Sequence, residues 1–281
     1  MQIFNPFQYR QEELNDPRLN PRFALQAYGF VAASDAWLFA EPSPLKARTS
    51  QLLYGERISI HAQEGDFFLI QNIGDGYCGW LHRSMVQITP KLIPEPLWLI
   101  SRTAAILLEP SIKSPLKFFL PAGSQVNVAS ENEDFYELEN LGWVHKSQVS
   151  ASDLVFEIVD NAKKFIGLSY VWGGKSSLSG LDCSALAQLA YGFAGKSLPR
   201  DSDMQRIYLK RFHQRVKANA LEAGDLIFTK GHVMIYAGAG KIIHANGYHM
   251  QVVLENLKKA LARIKEQNKG ELIIECYRWN Q

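Results

Sequence analysis

Apolar and polar residues alternate in short runs over the first 150 residues, with the two-residue period of half-buried strands. Gly, Pro and acidic residues separate these runs, as expected for turns between antiparallel strands. The pattern predicts an all-β N-terminal half. The clearest predicted strands lie at 58–62, 67–72, 79–82, 126–130, 135–140 and 142–145.

This N-terminal half contains an internal repeat. Residues 41–43 recur as 109–111 at an offset of 68, whereas the closing run 79–86 recurs as 142–149 at an offset of 63. The first copy therefore holds five extra residues before its last strand, in a loop that carries Tyr77. That loop is either an ordinary turn or a surface-recognition loop.

Each copy is long enough for one small β-barrel, and the repeat therefore predicts two barrels in succession. We predict a first barrel at 28–90, a second at 91–150 and an N-terminal arm at 1–27. After residue 150 the pattern changes, and we predict a separate domain at 151–281.

Helical periodicity opens this second half. Apolar residues recur near every 3.6 positions over 152–166, with Ser152 or Asp153 as the N-cap and Gly167 at the end. A Gly-rich loop leads into a second predicted helix, closed by Gly195. The later pattern predicts antiparallel strands, one amphipathic helix and a closing strand, which makes the domain α+β. The strands lie at 225–229, 232–238, 241–245, 250–254 and 271–279, and the helix lies at 255–268.

Candidate chemistry centres on Cys183, which lies where the Gly-rich loop becomes a helix. Amide N–H groups and the dipole at a helix N-terminus stabilise a thiolate, so we expect a Cys183 pKa lowered into the range of roughly 3.5–7.5. The alternative is a small buried hydrophobic residue, as most free cysteines are. Cys78 and Cys276 lack this setting and are interpreted as structural.

Two histidines lie on neighbouring predicted strands. A hairpin about residues 238–239 places His232 directly opposite His244, with Cβ atoms about 5 Å apart. A thiol, a base and a residue that orients the base make up the catalytic triad of a nucleophilic hydrolase. Two His and one distant Cys form a weak zinc set, so no metal or other cofactor is expected. The other five histidines, at 61, 82, 145, 213 and 249, are interpreted as surface residues.

Composition narrows the functional classes. Thirty Lys and Arg against 28 Asp and Glu give a net charge of +2, which provides no electrostatic basis for binding nucleic acid or an anionic membrane. Three cysteines argue against a disulfide scaffold. No signal-peptide pattern and no run of 18 apolar residues is found, so we expect a cytoplasmic protein, with export of a trimmed or signal-independent form left open. We also predict a monomer.

The motifs at 170–188, 198–205, 223–238 and 241–245 resemble, in order and spacing, the NlpC family of papain-like cell-wall endopeptidases. The barrels resemble the bacterial SH3 domains that precede this domain in many members. The resemblance implies an α+β papain-like catalytic domain, with helices and an antiparallel sheet, preceded by two small SH3-like β-barrels. Ala185 and Met234 stand where the family usually has Gly, and we interpret both as packing positions.

In terms of site residues, the resemblance makes Cys183 the nucleophile, His232 the base, His244 its orienting partner and Tyr170 a contributor to the oxyanion site. Trp172, from the same motif as Tyr170, is assigned to substrate binding.

The family cleaves the γ-D-glutamyl bond to a diamino acid, meso-diaminopimelate or lysine, in peptidoglycan stem peptides. A subset with SH3-like domains resembles recycling enzymes that require a free L-Ala amine, and there the resemblance assigns amine recognition to Asp182, Ser184 and Tyr77. The alternative for Asp182 is that it only caps the helix, without contacting the substrate. Arg200 is interpreted as a residue that stabilises the fold. An exported wall-remodelling hydrolase and a catalytically inactive binding protein are the rival functions.

Overall fold

The computed structural model describes residues 7–96, 98–151 and 157–280. The chain forms two compact units. The first comprises Met1–Leu154 and Lys175–Leu178, and the second comprises Val155–Gly174 and Ser179–Gln281.

The first unit is built from antiparallel strands in three sheets. The strands are β1 Ala27–Val31, β2 Asp35–Phe39, β3 Arg48–Leu53, β4 Arg57–Glu64, β5 Phe67–Asn72, β6 Cys78–His82, β7 Val86–Thr89, β8 Trp98–Ile100, β9 Ala104–Leu107, β10 Leu116–Leu120, β11 Gln125–Val126, β12 Val128–Glu131, β13 Phe135–Leu138, β14 Gly142–His145 and β15 Val149–Ala151. A seven-stranded sheet has the order β3-β2-β6-β5-β4-β1-β7, a five-stranded sheet the order β10-β9-β14-β13-β12, and a three-stranded sheet the order β11-β8-β15.

The internal repeat reappears as matching three-dimensional detail. His82 and His145 each end a strand and cap a short 3-10 helix, because each Nδ1 accepts the backbone N–H of the serine two residues later. Each imidazole also packs edge-on against a phenylalanine, with centroids 5.2 Å apart for Phe67 and 5.3 Å apart for Phe135. Equivalent residues therefore make equivalent contacts in both copies.

Burial alternates along strands such as β2 and β9, whereas β5 is buried along its whole length. The second copy has a core of eight buried residues, among which Ile100, Ile106 and Val144 are fully buried. His61 is also buried, between Ser59 Oγ at 2.9 Å and the Phe23 carbonyl at 3.0 Å. The interpretation of His61 as a surface residue was therefore wrong, because the chain at Phe23 covers the polar face of β4 on which Ser59 and His61 lie.

The second unit combines helices with strands. Its elements are β17 Gly180–Leu181, α1 Ile158–Lys163, α2 Cys183–Gly192, α3 Ser202–Phe212, β18 Gln214–Val216, β19 Leu226–Thr229, β20 His232–Gly238, β21 Lys241–Asn246, β22 Gln251–Asn256, α4 Leu257–Gln267 and β23 Glu275–Arg278, whereas the two-residue strand β16 Lys175–Ser176 belongs to the first unit. One antiparallel sheet has the order β18-β23-β19-β20-β21-β22, and helices α1 and α2 pack against each other and against β20 and β21.

Most predicted helices and strands of this half are confirmed. The first helix is shorter than predicted, because α1 spans Ile158–Lys163 with Glu157 at its N-cap position; the predicted N-caps Ser152 and Asp153 lie outside the described residues. Helix α3 was not predicted, because its sequence is largely polar and only Met204, Gln205 and Leu209 are buried. The short strand β18 was also missed, since its pairing with β23 is set by tertiary contact rather than by its own pattern.

Helix α4 is a packed helix. The side chain of Asn256 caps it by accepting the N–H of Lys259 at 3.2 Å. Ala260 is fully buried, and Leu257, Leu261 and Ile264 pack against the core formed with Met234 and other sheet residues. No helix among the described residues is long and apolar enough to cross a membrane.

Candidate active site

Cys183 is the first residue of α2 and is buried. The preceding residue, Asp182, caps this helix by accepting the N–H of Ala185 at 2.8 Å. The Cys183 sulfur receives backbone N–H groups from Ser184, on its own helix, and from Val233, on β20. Since Val233 directly follows His232, the thiol lies beside the strand that carries the predicted base.

Burial raises the pKa of the Cys183 thiol to about 12, with the negative charge of Asp182 acting in the same direction. The N–H groups of Val233 and Ser184 and the charge of Arg200 oppose this shift but do not overcome it. The expectation of a lowered pKa was therefore wrong. The helix N-terminus is present, but desolvation of a fully enclosed thiolate outweighs it.

The two predicted histidines are in direct contact. His232 Nε2 lies 2.8 Å from His244 Nδ1. The register of β20 and β21 pairs Ile235 with Ile243 and Tyr236 with Ile242, so His244 lies opposite Met234 and diagonal to His232. The predicted directly opposite pairing was wrong, because Gly238 pairs with Lys241 and the turn is formed by Ala239 and Gly240, one residue later than predicted. Diagonal residues share a face, which preserves the contact.

A carboxylate fixes the tautomer of this pair. His244 Nε2 lies 2.7 Å from Glu255 Oε1, and because a carboxylate only accepts, Nε2 carries a proton. His244 Nδ1 then accepts the Nε2–H of His232, which leaves Nδ1 of His232 with the free lone pair. Burial lowers the pKa of His232 to about 3 and that of His244 to about 4, so both rings are neutral. His232 is thus a neutral base with one available nitrogen.

Glu255, Arg263 and Asn246 complete this cluster, and sequence reasoning missed all three. Arg263 Nη1 and Nη2 donate to the two oxygens of Glu255 at 3.1 and 2.5 Å. The Asn246 amide nitrogen lies 3.0 Å from His244 Nε2. In the hairpin of β21 and β22, Val253 pairs with His244, which places Glu255 diagonal to His244. The register of this hairpin is the sequence signal from which Glu255 could have been found.

Asp182 is embedded in a polar network. Its Oδ1 accepts Ser184 Oγ–H at 3.0 Å as well as the Ala185 N–H, and its Oδ2 accepts the Gly173 N–H at 3.1 Å. Arg200 donates to both oxygens, at 3.1 and 2.8 Å. Asp182 is therefore the N-cap, the alternative that the sequence left open. The predicted roles of Asp182 and Ser184 towards a substrate amine stay predictions.

The two aromatic residues of the Gly-rich loop differ in exposure. Tyr170 is half-buried, and burial, with the negative charge of Asp182 acting in the same direction, raises the pKa of its phenol to about 12. It therefore stays protonated and able to donate near the thiol. Trp172 is 68% exposed, as a residue available to a ligand is expected to be.

Tyr77 belongs to the first unit, where it is buried in the loop between β5 and β6. Its N–H donates to Asp75 Oδ1 at 3.0 Å, and its carbonyl accepts the N–H of Asn72 at 2.9 Å. The loop is further tied to the N-terminal arm, because Cys78 N–H donates to the carbonyl of Arg18 at 2.7 Å. The loop carrying Tyr77 is thus ordered by its own polar contacts.

Comparison with known proteins agrees with this geometry. The sequence model of the NlpC/P60 family matches residues 167–267, and that of the bacterial dipeptidyl-peptidase Sh3 domain matches residues 38–85. A dipeptidyl-peptidase 6 from Lysinibacillus sphaericus is 30% identical over 238 residues, which cover 77% of this chain and 86% of the relative. A gamma-D-glutamyl-L-lysine dipeptidyl-peptidase from Bacillus subtilis is 28% identical over 225 residues, 70% of this chain and 71% of the relative.

A protein of the same name from Bacillus cereus is 28% identical over 234 residues, 70% of this chain and 66% of the relative. Among solved structures, an NlpC/P60 family protein from Bacillus cereus superposes with a TM-score of 0.74 at 22% identity, covering 90% of this chain and 99% of that one. This superposition shows a shared fold. Together with the matched regions and the extent of the 30% identical relative, it places the chain in the NlpC/P60 family of cysteine peptidases.

Proposed function

We propose that this protein is a cysteine dipeptidyl-peptidase that hydrolyses the γ-D-glutamyl–diamino acid bond of peptidoglycan stem-peptide fragments with a free L-Ala amine. The main support is a buried series of contacts: Val233 contacts the Cys183 sulfur, His232 precedes Val233 on β20, and His232 contacts His244. It supplies a nucleophile, a neutral base and a partner that fixes the base, the set required for acyl transfer through sulfur.

Acylation begins with an uncharged Cys183 thiol and an uncharged His232 imidazole. The Cys183 sulfur attacks the γ-carbonyl carbon as its proton passes to Nδ1 of His232. The carbonyl π electrons move to oxygen, where the Cys183 N–H and the Tyr170 hydroxyl are the proposed donors to the oxyanion. Collapse of the tetrahedral intermediate breaks the C–N bond, and the imidazolium of His232 returns its proton to the departing amine of the diamino acid.

Deacylation reverses these roles on a water molecule. His232 Nδ1 takes a proton from water as its oxygen attacks the thioester carbon. The C–S bond breaks, the thiolate is reprotonated from His232, and L-Ala-D-Glu leaves. The positive charge on His232 exists only during transfer, when the neighbouring thiolate or oxyanion compensates for it.

Support for the substrate class comes from the relatives. Two matched proteins are named for the γ-D-glutamyl-L-lysine bond, and three are named as dipeptidyl-peptidases, enzymes that release two residues from a free amino end. The match to the Sh3 domain of bacterial dipeptidyl-peptidases supports the same assignment for the first unit. We assign contact with the substrate to Tyr77, Asp182, Ser184 and Trp172.

The proposal extends to organisation and location. It takes 28–90 and 91–150 as two SH3-like barrels, after an arm at 1–27, and 151–281 as the papain-like catalytic domain. The matched contacts of His82 and His145 support the second barrel. A recycling enzyme acting on imported fragments works in the cytoplasm, and we propose a cytoplasmic monomer without a cofactor.

The test is a paired hydrolysis assay followed by mass spectrometry. One substrate is L-Ala-γ-D-Glu-meso-diaminopimelate, and the other is the same peptide with its amine acetylated. Release of L-Ala-D-Glu from the free-amine peptide alone supports the proposal, whereas equal cleavage of both points to wall remodelling instead. Cys183→Ala should abolish cleavage and the matched Cys276→Ala should retain it; full activity in Cys183→Ala would refute the cysteine mechanism.

A further inference from the structure

Glu255 stands at the far end of the histidine pair, on β22, and is held from α4. Arg263 binds both of its oxygens, at 3.1 and 2.5 Å, and the guanidinium also stacks over the Tyr248 ring, 4.3 Å from the centroid. The carboxylate is largely enclosed, with its side chain 15% exposed. A carboxylate bound at two points presents one oxygen to His244 in a fixed direction.

His244 Nε2 has two competing neighbours. Glu255 Oε1 at 2.7 Å requires a proton on Nε2, whereas the Asn246 amide nitrogen at 3.0 Å is a donor and favours a bare Nε2. The Asn246 amide cannot turn round freely, because its Oδ1 already accepts the backbone N–H of His249 at 2.9 Å and lies 3.1 Å from His249 Nδ1. The two neighbours thus favour opposite tautomers of His244.

We propose that Glu255, clamped by Arg263, is a positioning residue that sets the proton arrangement of His244 and His232. With Glu255 present, His244 carries its proton on Nε2, accepts from His232 through Nδ1, and leaves His232 Nδ1 free for the thiol proton. Without it, Asn246 donates to Nε2 and the proton of His244 moves to Nδ1. His232 must then accept on Nε2, so its own proton faces the thiol.

Arg263 contributes by keeping the carboxylate ionised. Burial would raise the pKa of Glu255, but hydrogen bonds from Arg263 and His244 lower it below its ordinary value. Helix α4 therefore carries a residue that acts on catalysis through Glu255 and His244. The expected effect on kcat rests on the proposed function, whereas the tautomers of His244 and His232 are properties of the free enzyme and can be measured without substrate.

Ring nitrogens of 15N-labelled histidine distinguish the two arrangements by NMR, because protonated and bare nitrogens differ widely in chemical shift. In the wild type we expect Nε2 of both rings to be protonated. In Glu255→Ala we expect both protons to move to Nδ1 and kcat to fall between about 10²- and 10⁴-fold, the contribution of a general base. Unchanged tautomers in Glu255→Ala would overturn the inference.

Asn246→Asp provides a rescue, because its carboxylate places an acceptor where the Asn246 amide nitrogen now lies. The double variant Glu255→Ala with Asn246→Asp should regain the wild-type tautomers and at least tenfold of the lost kcat. No recovery of either would count against the inference. The matched control is Glu275→Ala, which removes another strand carboxylate paired with a helix arginine, Arg206 at 2.8 Å, and should leave the tautomers unchanged.

If Glu255→Ala does not fold, Arg263→Gln tests the clamp from the surface of α4. It should lower kcat about tenfold at unchanged KM, since substrate contacts are intact; an unaltered kcat would overturn the role of Arg263.

The two proposals fail separately. Full activity in Cys183→Ala refutes the cysteine mechanism but leaves the NMR result standing, whereas tautomers indifferent to Glu255 refute only the inference.

Discussion

Arg200 donates to both carboxylate oxygens of Asp182, the residue that caps the helix on which Cys183 lies. The guanidinium side chain is fully buried, and it also donates to the Gly173 carbonyl at 2.8 Å. Gly173 in turn donates its N–H to Asp182, so one ion pair holds both ends of the loop from Gly173 to the nucleophile. The ion pair of Arg200 and Asp182 therefore both positions the Cys183 thiol and stabilises the second unit.

Arg200→Met is expected to destabilise the second unit strongly. It leaves the Asp182 carboxylate buried without its cation, and removal of one partner of a buried pair typically costs about 3–5 kcal/mol. Urea unfolding, monitored by circular dichroism, measures the loss. Arg206→Met is the control, because its pair with Glu275 is 34% exposed on the arginine side and should be worth about 0–1 kcal/mol. Equal losses would contradict the role of burial.

Thiol reactivity of the free enzyme should follow the raised pKa of Cys183. With a pKa of about 12, the thiolate fraction rises about tenfold per pH unit, so alkylation by iodoacetamide should accelerate steadily from pH 6 to 9. Mass spectrometry of the modified peptide measures the rate. Cys183→Ala reports any background from Cys78 and Cys276, in which burial also raises the thiol pKa. A rate already constant at pH 6 would indicate a preformed thiolate instead.

Protein stability should decrease below neutral pH through the buried histidines. Burial lowers the pKa of His244 to about 4, so between pH 6.5 and 4 the unfolded chain binds a proton on this residue that the folded chain does not. The free energy of unfolding therefore falls as pH falls, by about 1.6 kcal/mol from this residue between pH 6.5 and 5.

Denaturant titrations of wild type and His244→Asn at these pH values measure this effect. The variant should show a shallower pH dependence, because it lacks the titrating group. Some dependence should persist, since burial lowers the pKa of His232 in the same direction, to about 3. Identical slopes for the two proteins would contradict the assignment. The pKa of His244 also depends on three neighbouring groups: Glu255 raises it, and Arg263 and His249 lower it.

Gly55 occupies a position that tolerates no side chain. Its φ is +81°, and a Cβ atom would lie 2.0 Å from the Gln125 carbonyl oxygen. Gly55→Ala combines about 1–2 kcal/mol of left-handed strain with a backbone clash, so it should lower the unfolding midpoint of the first unit substantially. Gly65→Ala is the matched control, since its φ is +56° and no atom lies within 4 Å of its Cβ position. Equal effects of the two substitutions would show that the clash is relieved.

Much of the fold could be read from local pattern. Strand runs in the first unit, the break near 150 and helix α4 follow from hydrophobic periods of 2 and 3.6, which depend on backbone geometry within a few residues. Cys183 at a helix start and two histidines on one hairpin follow from the same local signals. Helix α3 was missed because most of its residues are polar, although its few apolar residues, Met204, Ile207 and Tyr208, recur at helical spacing.

Local sequence pattern placed most of the elements and the residues that carry the chemistry, including Cys183, His232 and His244. What these groups can do depends on contacts that form only in the folded chain. Desolvation raises the pKa of Cys183 instead of lowering it, Arg200 engages Asp182, and Glu255 and Arg263 fix the protons of the histidines. Periodicity reports local geometry, whereas burial and partner choice depend on segments far apart in the chain that meet only when it folds.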